Sequence, residues 1–447
     1  MKRLLYILAF TSFFGYAQET PFEFNLLRQQ DEIHHFQSRQ ESVSEKLKWV
    51  SLGETAVLSL GGSYRFQTEG FINQEFDKQA GQDDIWILNR LMFHADLRWG
   101  DDLQVYAELN SSTINGKDPL SPVDRDDLAF NQLFLRYRFD ENWEGLLGRQ
   151  NMRLGSGRLI DIREGPNVRL SFDMAQLSLK TSNTAILGFF GVPVRQLPGV
   201  FDNDFLNFSE YITGIYGTRN WCEAVNLDAY LLYKREDDKT WSAGTADDTR
   251  VSIGLRHFGS WRNMIFDNEF VYQMGDFGGQ RIQAWTISFN VKKPVPLWGG
   301  VANLGIKTEA ISGDRNPSDS RLNTFDALYP RGAYFGRVAR FGPSNLLDLH
   351  PYVNWSKDGF YLEVDYDAFW RFSTRDGIYN PALILTYPPT NDARFIAQQI
   401  GTITGWVLNR HLALELETNL IFPGAFLIES DLGDTLFHAV LTMEIHF

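Results

Sequence analysis

The sequence predicts an all-β protein, a transmembrane antiparallel up-and-down β-barrel of about eighteen strands with long extracellular loops and short periplasmic turns. Three observations carry that expectation. From residue 54 onward, apolar and polar residues alternate in segments of about ten, as they do where one strand face meets lipid and the other meets water. The composition is polar on average yet rich in aromatics, with 35 Phe and 12 Trp in 447 residues. The connections between segments mostly alternate long and short, which a soluble sandwich has no reason to do. No run of 18 apolar residues follows the N-terminal segment, so helical spans are excluded.

In chain order, residues 1–17 (MKRLLYILAFTSFFGYA) read as a secretory signal: Lys2 and Arg3, an apolar run from Leu4 to Phe14, then small residues at Gly15 and Ala17. Residues 18–53 are charged and do not alternate; they are expected to form a short helix or an extended arm, in the periplasm or in the lumen. The barrel is expected over 54–447, with strands near 54–70, 84–99, 102–113, 128–139, 143–152, 172–182, 184–194, 210–219, 225–235, 247–258, 261–275, 281–292, 300–312, 346–356, 360–374, 394–409, 411–422 and 434–447. In WILNRLMFHADLRW, Ile87, Leu91, Phe93, Ala95, Leu97 and Trp99 share one face and Arg90, His94, Asp96 and Arg98 the other. In FYLEVDYDAFWRF, Leu362, Val364, Tyr366 and Ala368 alternate with Glu363, Asp365 and Asp367. The last strand carries Phe437, Leu441 and the terminal Phe447 on its lipid face, the kind of ending read by the outer-membrane assembly machinery. With Cys222 the sole cysteine, no disulfide within the chain holds this fold together.

The chain is acidic, with 56 Asp+Glu against 42 Lys+Arg, which argues against a nucleic-acid partner. Against that background, the glycine-punctuated stretch GRQNMRLGSGRLIDIREGPNVR gathers Arg149, Arg153, Arg158, Arg163 and Arg169 beside only Asp161 and Glu164. Alternation adds Arg65, Arg90, Arg98, Arg136 and Arg138 to polar faces of early strands, and it places Asp267, Glu269, Glu309, Glu363, Asp365 and Asp367 on later ones. If the strands close in order, a basic wall faces an acidic wall across the lumen. Ladders of charge are how pores select solutes, and arginine meets carboxylate with a planar fork. The simpler reading of each such charge is pairing with a neighbour on the next strand.

No catalytic signature is present: there is no HExxH, no P-loop and no GxSxG elbow. The eight histidines show no zinc-like grouping, so no cofactor and no metal site are assigned. The acidic runs Asp83-Asp84 and Asp124 to Asp127 are either calcium-holding or simply solvated loops. His94 and Asp96 share a face, which keeps a barrel hydrolase among the alternatives.

The run LGRQNMRLGSGRLIDIREGPNVRLSFDMAQL, residues 147–177, resembles the shared segment of the alginate-export family of outer-membrane porins, through Gly148-Arg149-Gln150, Gly157-Arg158-Leu159, and Arg169 with Phe172-Asp173. The pieces FNLLR and LSLGGSYRFQ are similar as well. The resemblance implies an eighteen-stranded barrel in the outer membrane of a Gram-negative bacterium. It further implies passive passage of an anionic polysaccharide or oligosaccharide through an arginine-lined constriction, with Arg149, Arg153, Arg158, Arg163 and Arg169 as its candidates and Arg90, Arg136 and Arg138 as neighbours that the alternation supplies. The chain would then act as a monomer, in contact with membrane lipid and with that saccharide. The rivals are a general or other-substrate diffusion porin, the barrel hydrolase, and a secreted sugar-binding β-protein. Loops 153–171 and 313–345 are expected either to fold into the pore or to lie in solvent.

Overall fold

A computed structural model describes residues 22–38, 42–77 and 84–447. The expected signal segment and Asp83 lie outside these residues. Eighteen antiparallel strands make the wall: β1 (Ala56–Ile72), β2 (Asp84–Trp99), β3 (Leu103–Asn115), β4 (Asp126–Arg138), β5 (Trp143–Gln150), β6 (Phe172–Lys180), β7 (Thr184–Pro193), β8 (Glu210–Cys222), β9 (Val225–Trp241), β10 (Gly244–Trp261), β11 (Met264–Phe277), β12 (Gln280–Leu297), β13 (Gly300–Ile311), β14 (Leu346–Lys357), β15 (Phe360–Arg371), β16 (Phe395–Asn409), β17 (Leu412–Pro423) and β18 (Leu436–His446). Each pairs with its sequence neighbour, and β18 pairs with β1 from Ser63↔His446 to Ile72↔Phe437, closing the barrel. Closure leaves no unpaired edge, the condition for backbone to cross lipid.

The alternation read from the sequence sets the faces. Ile87, Leu91 and Phe93 of β2 point outward and are exposed, whereas Arg90, His94 and Asp96 point inward and are buried. Exposed tryptophans cluster at the ends of strands beside the short turns: Trp99, Trp143, Trp221, Trp261, Trp298 and Trp406. Such an aromatic girdle marks a membrane interface, here the periplasmic one.

Two outer connections depart from the expected alternation. The charged stretches before residue 242 and after 243 looked like loop, yet β9 and β10 run through them to a tight hairpin at 242–243, and β11 and β12 close another at 278–279. The hydrogen-bond ladder continues past the end of the apolar alternation, so these hairpins stand beyond the apolar band and carry charge on both faces.

The arm from Phe22 sits at the periplasmic end. It has two 3-10 turns, Arg28–Gln30 and Ile33–Phe36, and a short helix, α1 (Val43–Lys48), whose capping box pairs Ser42 with Glu45. Residues Val50–Leu52 then pair with the start of β1. Its contacts reach into the lumen: Arg28 Nη1 donates to the Gly62 carbonyl at 3.0 Å, and Gln29 Nε2 donates to Gln132 at 3.0 Å. Lys48 Nζ donates to the Phe447 carbonyl at 2.7 Å, tying the arm to the C-terminal strand.

Candidate functional site

Two of the long outer connections fold into the barrel and meet. In the segment 151–171, Gly155 and Gly157 take left-handed φ of +50° and +74°, which turns the chain inside the lumen where a Cβ would strike Tyr216 or Asp161. Ile160, with no exposed surface, and Leu159 then anchor the segment in an apolar core shared with Leu322, Phe325, Leu328 and Tyr329 of the segment 312–345. The two segments exchange main-chain hydrogen bonds, Asp161 N to Tyr329 O at 2.9 Å and Tyr329 N to Leu159 O at 2.7 Å. The second segment is also bound to the wall: Arg250 Nη1 donates to Thr324 O at 2.7 Å, Lys234 pairs with Asp326 at 3.3 Å, and Arg337 pairs with Glu415 at 2.9 Å.

The eight arginines expected at the constriction separate into distinct environments. Arg90 and Arg169 both bind the carboxylate of Glu164 directly, and Arg65 of β1 completes the ring with Nη1 3.7 Å from Oε1 and 2.7 Å from the Glu164 carbonyl. Burial opposes the charge on Glu164, but attraction to Arg169, Arg90 and Arg65 outweighs it and holds the carboxyl well below the usual range. Arg149 grips Asp173 with a two-pronged contact at 2.8 and 3.0 Å. Arg153 lies 3.5 Å from Asp161. Arg158 crosses the lumen to Glu309 at 3.1 Å, while Ser156 donates to Glu269 at 2.7 Å. The basic and acidic walls therefore do not face each other across open water; the inward loop bridges them.

Arg163 differs from these. Its backbone is left-handed (φ 56°), its Nε donates to Pro330 O at 3.2 Å, and among the described residues no carboxylate lies within ion-pair distance of it. Burial pulls its guanidinium below the ordinary value, an effect that Glu210 only partly offsets. It lines a cavity of about 700 Å³ on the outer side of the loops, with Lys117, Arg195, Lys234, Lys239, Arg337 and Arg340 set against Glu69, Asp124, Glu210 and Glu236. Arg136 and Arg138 lie elsewhere, at the periplasmic end of β4, where Arg136 is 3.5 Å from Glu144 and Arg138 is exposed. They stand there because β4 runs from the outer end to the periplasmic turn.

Among the acidic residues, Asp267 is held by Arg256 at 2.7 Å. Glu363, Asp365 and Asp367 are buried on the lumen face of β15. His350, from the neighbouring strand, joins Asp365 and Asp367 in a compact group that the sequence reading did not find. The signal for it is cross-strand register: Tyr352 pairs with Asp365 and Leu349 with Ala368, which sets His350 opposite Asp367. His94 and Asp96 do not form a catalytic pair; His94 stacks on Tyr106, and Asp96 binds Arg98 and Gln104. In the acidic run at 124–127, Lys117 binds Asp124, Arg125 binds Asp127, and Asn203 donates to Asp126 Oδ2, while Asp126 Oδ1 stays buried without a hydrogen-bond partner.

The profile of the Alginate export family matches residues 56–435, the barrel almost end to end. The chain belongs to the alginate export family. No curated protein matches it by sequence. In structure it is similar to outer-membrane porins: OccAB1 of Acinetobacter baumannii (TM-score 0.60, 11% identity, 90% of this chain and 99% of that one), OpdO of Pseudomonas aeruginosa (0.58, 13%, 87% and 97%) and OccK5 (OpdH) of Pseudomonas aeruginosa (0.56, 10%, 87% and 98%). At such identities the likeness shows the fold alone. Membership and fold together make this an outer-membrane transport channel of the porin type, set in lipid by its apolar belt.

Proposed function

We propose that the chain gives passive passage to an anionic saccharide, in the form of a uronate-containing polymer or its oligosaccharides. One observation supports this above the others: three buried arginines on two wall strands and the inward loop converge on a single carboxylate, that of Glu164. A uronate carboxylate offers the same two oxygens and the same charge. The cation-rich cavity above would collect such a chain by long-range attraction. Among the described residues, Arg163 is the cation there without a carboxylate at ion-pair distance. The arginines would replace part of the hydration of each carboxylate and release it to the next, so flow follows the gradient with no cofactor and no covalent step. Within this reading the chain works as a single closed barrel, exported by the 1–17 signal and inserted by the assembly machinery through β18, whose Phe437, Leu441 and Phe447 face outward.

Single-channel recording in a planar bilayer tests the proposal, with polymannuronate, a neutral oligosaccharide, and salt alone. Polymannuronate should block or permeate at concentrations where the neutral sugar does neither. Arg90→Ala with Arg169→Ala should weaken that blockade at least tenfold. Equal behaviour of the two sugars, or blockade unchanged in the variant, would leave a general diffusion porin as the better reading.

A further inference from the structure

We propose that His350, Asp365 and Asp367 form a site for one divalent transition-metal cation, of the zinc class, on the lumen wall that the arginine-rich loop reaches through Arg158. The three residues stand on the adjacent strands β14 and β15, and one donor atom from each lies within 4.8 Å of the others. Their exposures are 5%, 8% and 0%. His350 Nδ1 is 2.8 Å from Asp367 Oδ2, yet neither oxygen of Asp367 takes part in a hydrogen bond, so the two atoms are close without being aligned as donor and acceptor. Donors that bind a shared zinc at about 2.0–2.1 Å stand about 3 Å apart and point at the ion rather than at each other.

Charge points the same way. Asp348, one inward position before His350 on β14, is 4% exposed, and its Oδ1 also lacks a hydrogen-bond partner. The nearest cation on the next strand is Lys307, the register partner of His350, whose ammonium lies 4.4 Å from the centre of the Tyr352 ring. Arg158 also acts on Asp348, but Asp367, with no exposed surface, has both carboxylate oxygens without a hydrogen-bond partner. Carboxylates this deeply buried demand a proton, a partner or a metal. A donor set of one imidazole and carboxylate oxygens suits Zn²⁺, whereas Ca²⁺ and Mg²⁺ take oxygen throughout.

The test uses the full chain purified in detergent, stripped with EDTA and titrated calorimetrically with ZnCl₂ or CaCl₂, with bound metal counted by elemental analysis. One equivalent of Zn²⁺ per chain is expected, with Ca²⁺ failing to compete at equal concentration. Asp367→Asn and His350→Ala should each weaken Zn²⁺ binding at least tenfold, while His34→Ala with His35→Ala, in the arm, should leave it unchanged. Heat-modifiable gel mobility shows whether each variant has folded. X-ray absorption at the zinc edge of the wild-type chain gives a reading that needs no variant, with one imidazole and the remaining ligands oxygen. No stoichiometric zinc, affinity unaltered in the folded variants, or a shell of several imidazoles would each overturn the site. None of these outcomes depends on the saccharide, so the site and the proposed transport function stand or fall separately.

Discussion

Glu164 is where residue chemistry and channel behaviour meet. Its carboxylate neutralises part of a three-arginine ring, and removing one partner of a buried charge pair costs about 3–5 kcal/mol because the other charges stay behind. Glu164→Gln keeps the shape but loses the charge and one of the two acceptor oxygens that Arg90 and Arg169 use, and so frees the cations. It should therefore shift reversal potentials toward anions and tighten polymannuronate blockade, both read from bilayer recordings under a salt gradient. The pH dependence has a definite sign. The folded-state pKa of Glu164 is depressed, so its stabilising contribution is complete above the ordinary carboxylate value of about 4.3 and is lost as pH falls through the folded value. Conductance should stay flat from pH 7 to that range and change only below it. The arginines themselves were legible because they crowd a chain that is otherwise acidic. Their partners within the segment were close by in sequence, but the reach of Arg158 to Glu309, 151 positions away, follows from where a loop falls in three dimensions, and alternation carries no information about that.

Elements extend the argument to loops and arm. Strands were readable almost residue by residue, since lipid on one side and water on the other impose a period of two. The reading failed where that contrast ends: β9 and β10 stop alternating once they leave the apolar band, and their outer halves looked like loop. The inward folding of the segments 151–171 and 312–345 rests on contacts such as Ile160 with Tyr329, which are long-range in sequence and left open until the structure supplies them. Ile160→Ala removes a fully buried side chain from the junction of the two loops and should cost about 2–5 kcal/mol locally. Faster gating noise at unchanged barrel stability would show it. The arm offers a second test. Glu45 is drawn from 4.5 to about 2, first by its hydrogen bond to Arg410 in the β16–β17 turn. A depressed carboxyl stabilises docking above pH 4.5 and loses that contribution between pH 4.5 and 2. Pepsin cleavage within 22–49 should accordingly accelerate across that interval, and Arg410→Gln should move the acceleration to higher pH.

At the scale of the whole molecule, stability has to come from the closed ladder and from the lipid, because Cys222 is the sole cysteine. Each wall strand is bonded on both sides, and even the C-terminus takes part: Phe447 N donates to Gly62 O at 3.0 Å, and Gly62 N donates back to Phe447 O at 2.8 Å. Opening the barrel anywhere exposes two rows of amides to hydrocarbon, so unfolding should be cooperative and slow, and the chain should migrate as a compact species on gels until boiled. The outward face then sets how substitutions register. Ile253, 44% exposed near the middle of β10, faces the acyl chains, and an arginine there must be drawn out of water or drag water in. Ile253→Arg should lower folding stability by about 2–4 kcal/mol in lipid vesicles, the magnitude for a basic residue near the bilayer midplane. Trp298, 83% exposed in a periplasmic turn, lies at the interface, where the same charge costs about 0–1 kcal/mol. Urea titrations of the two variants in the same vesicles should differ accordingly. A similar loss at both sites would mean that the apolar belt lies elsewhere on the wall than the alternation and the tryptophan girdle place it.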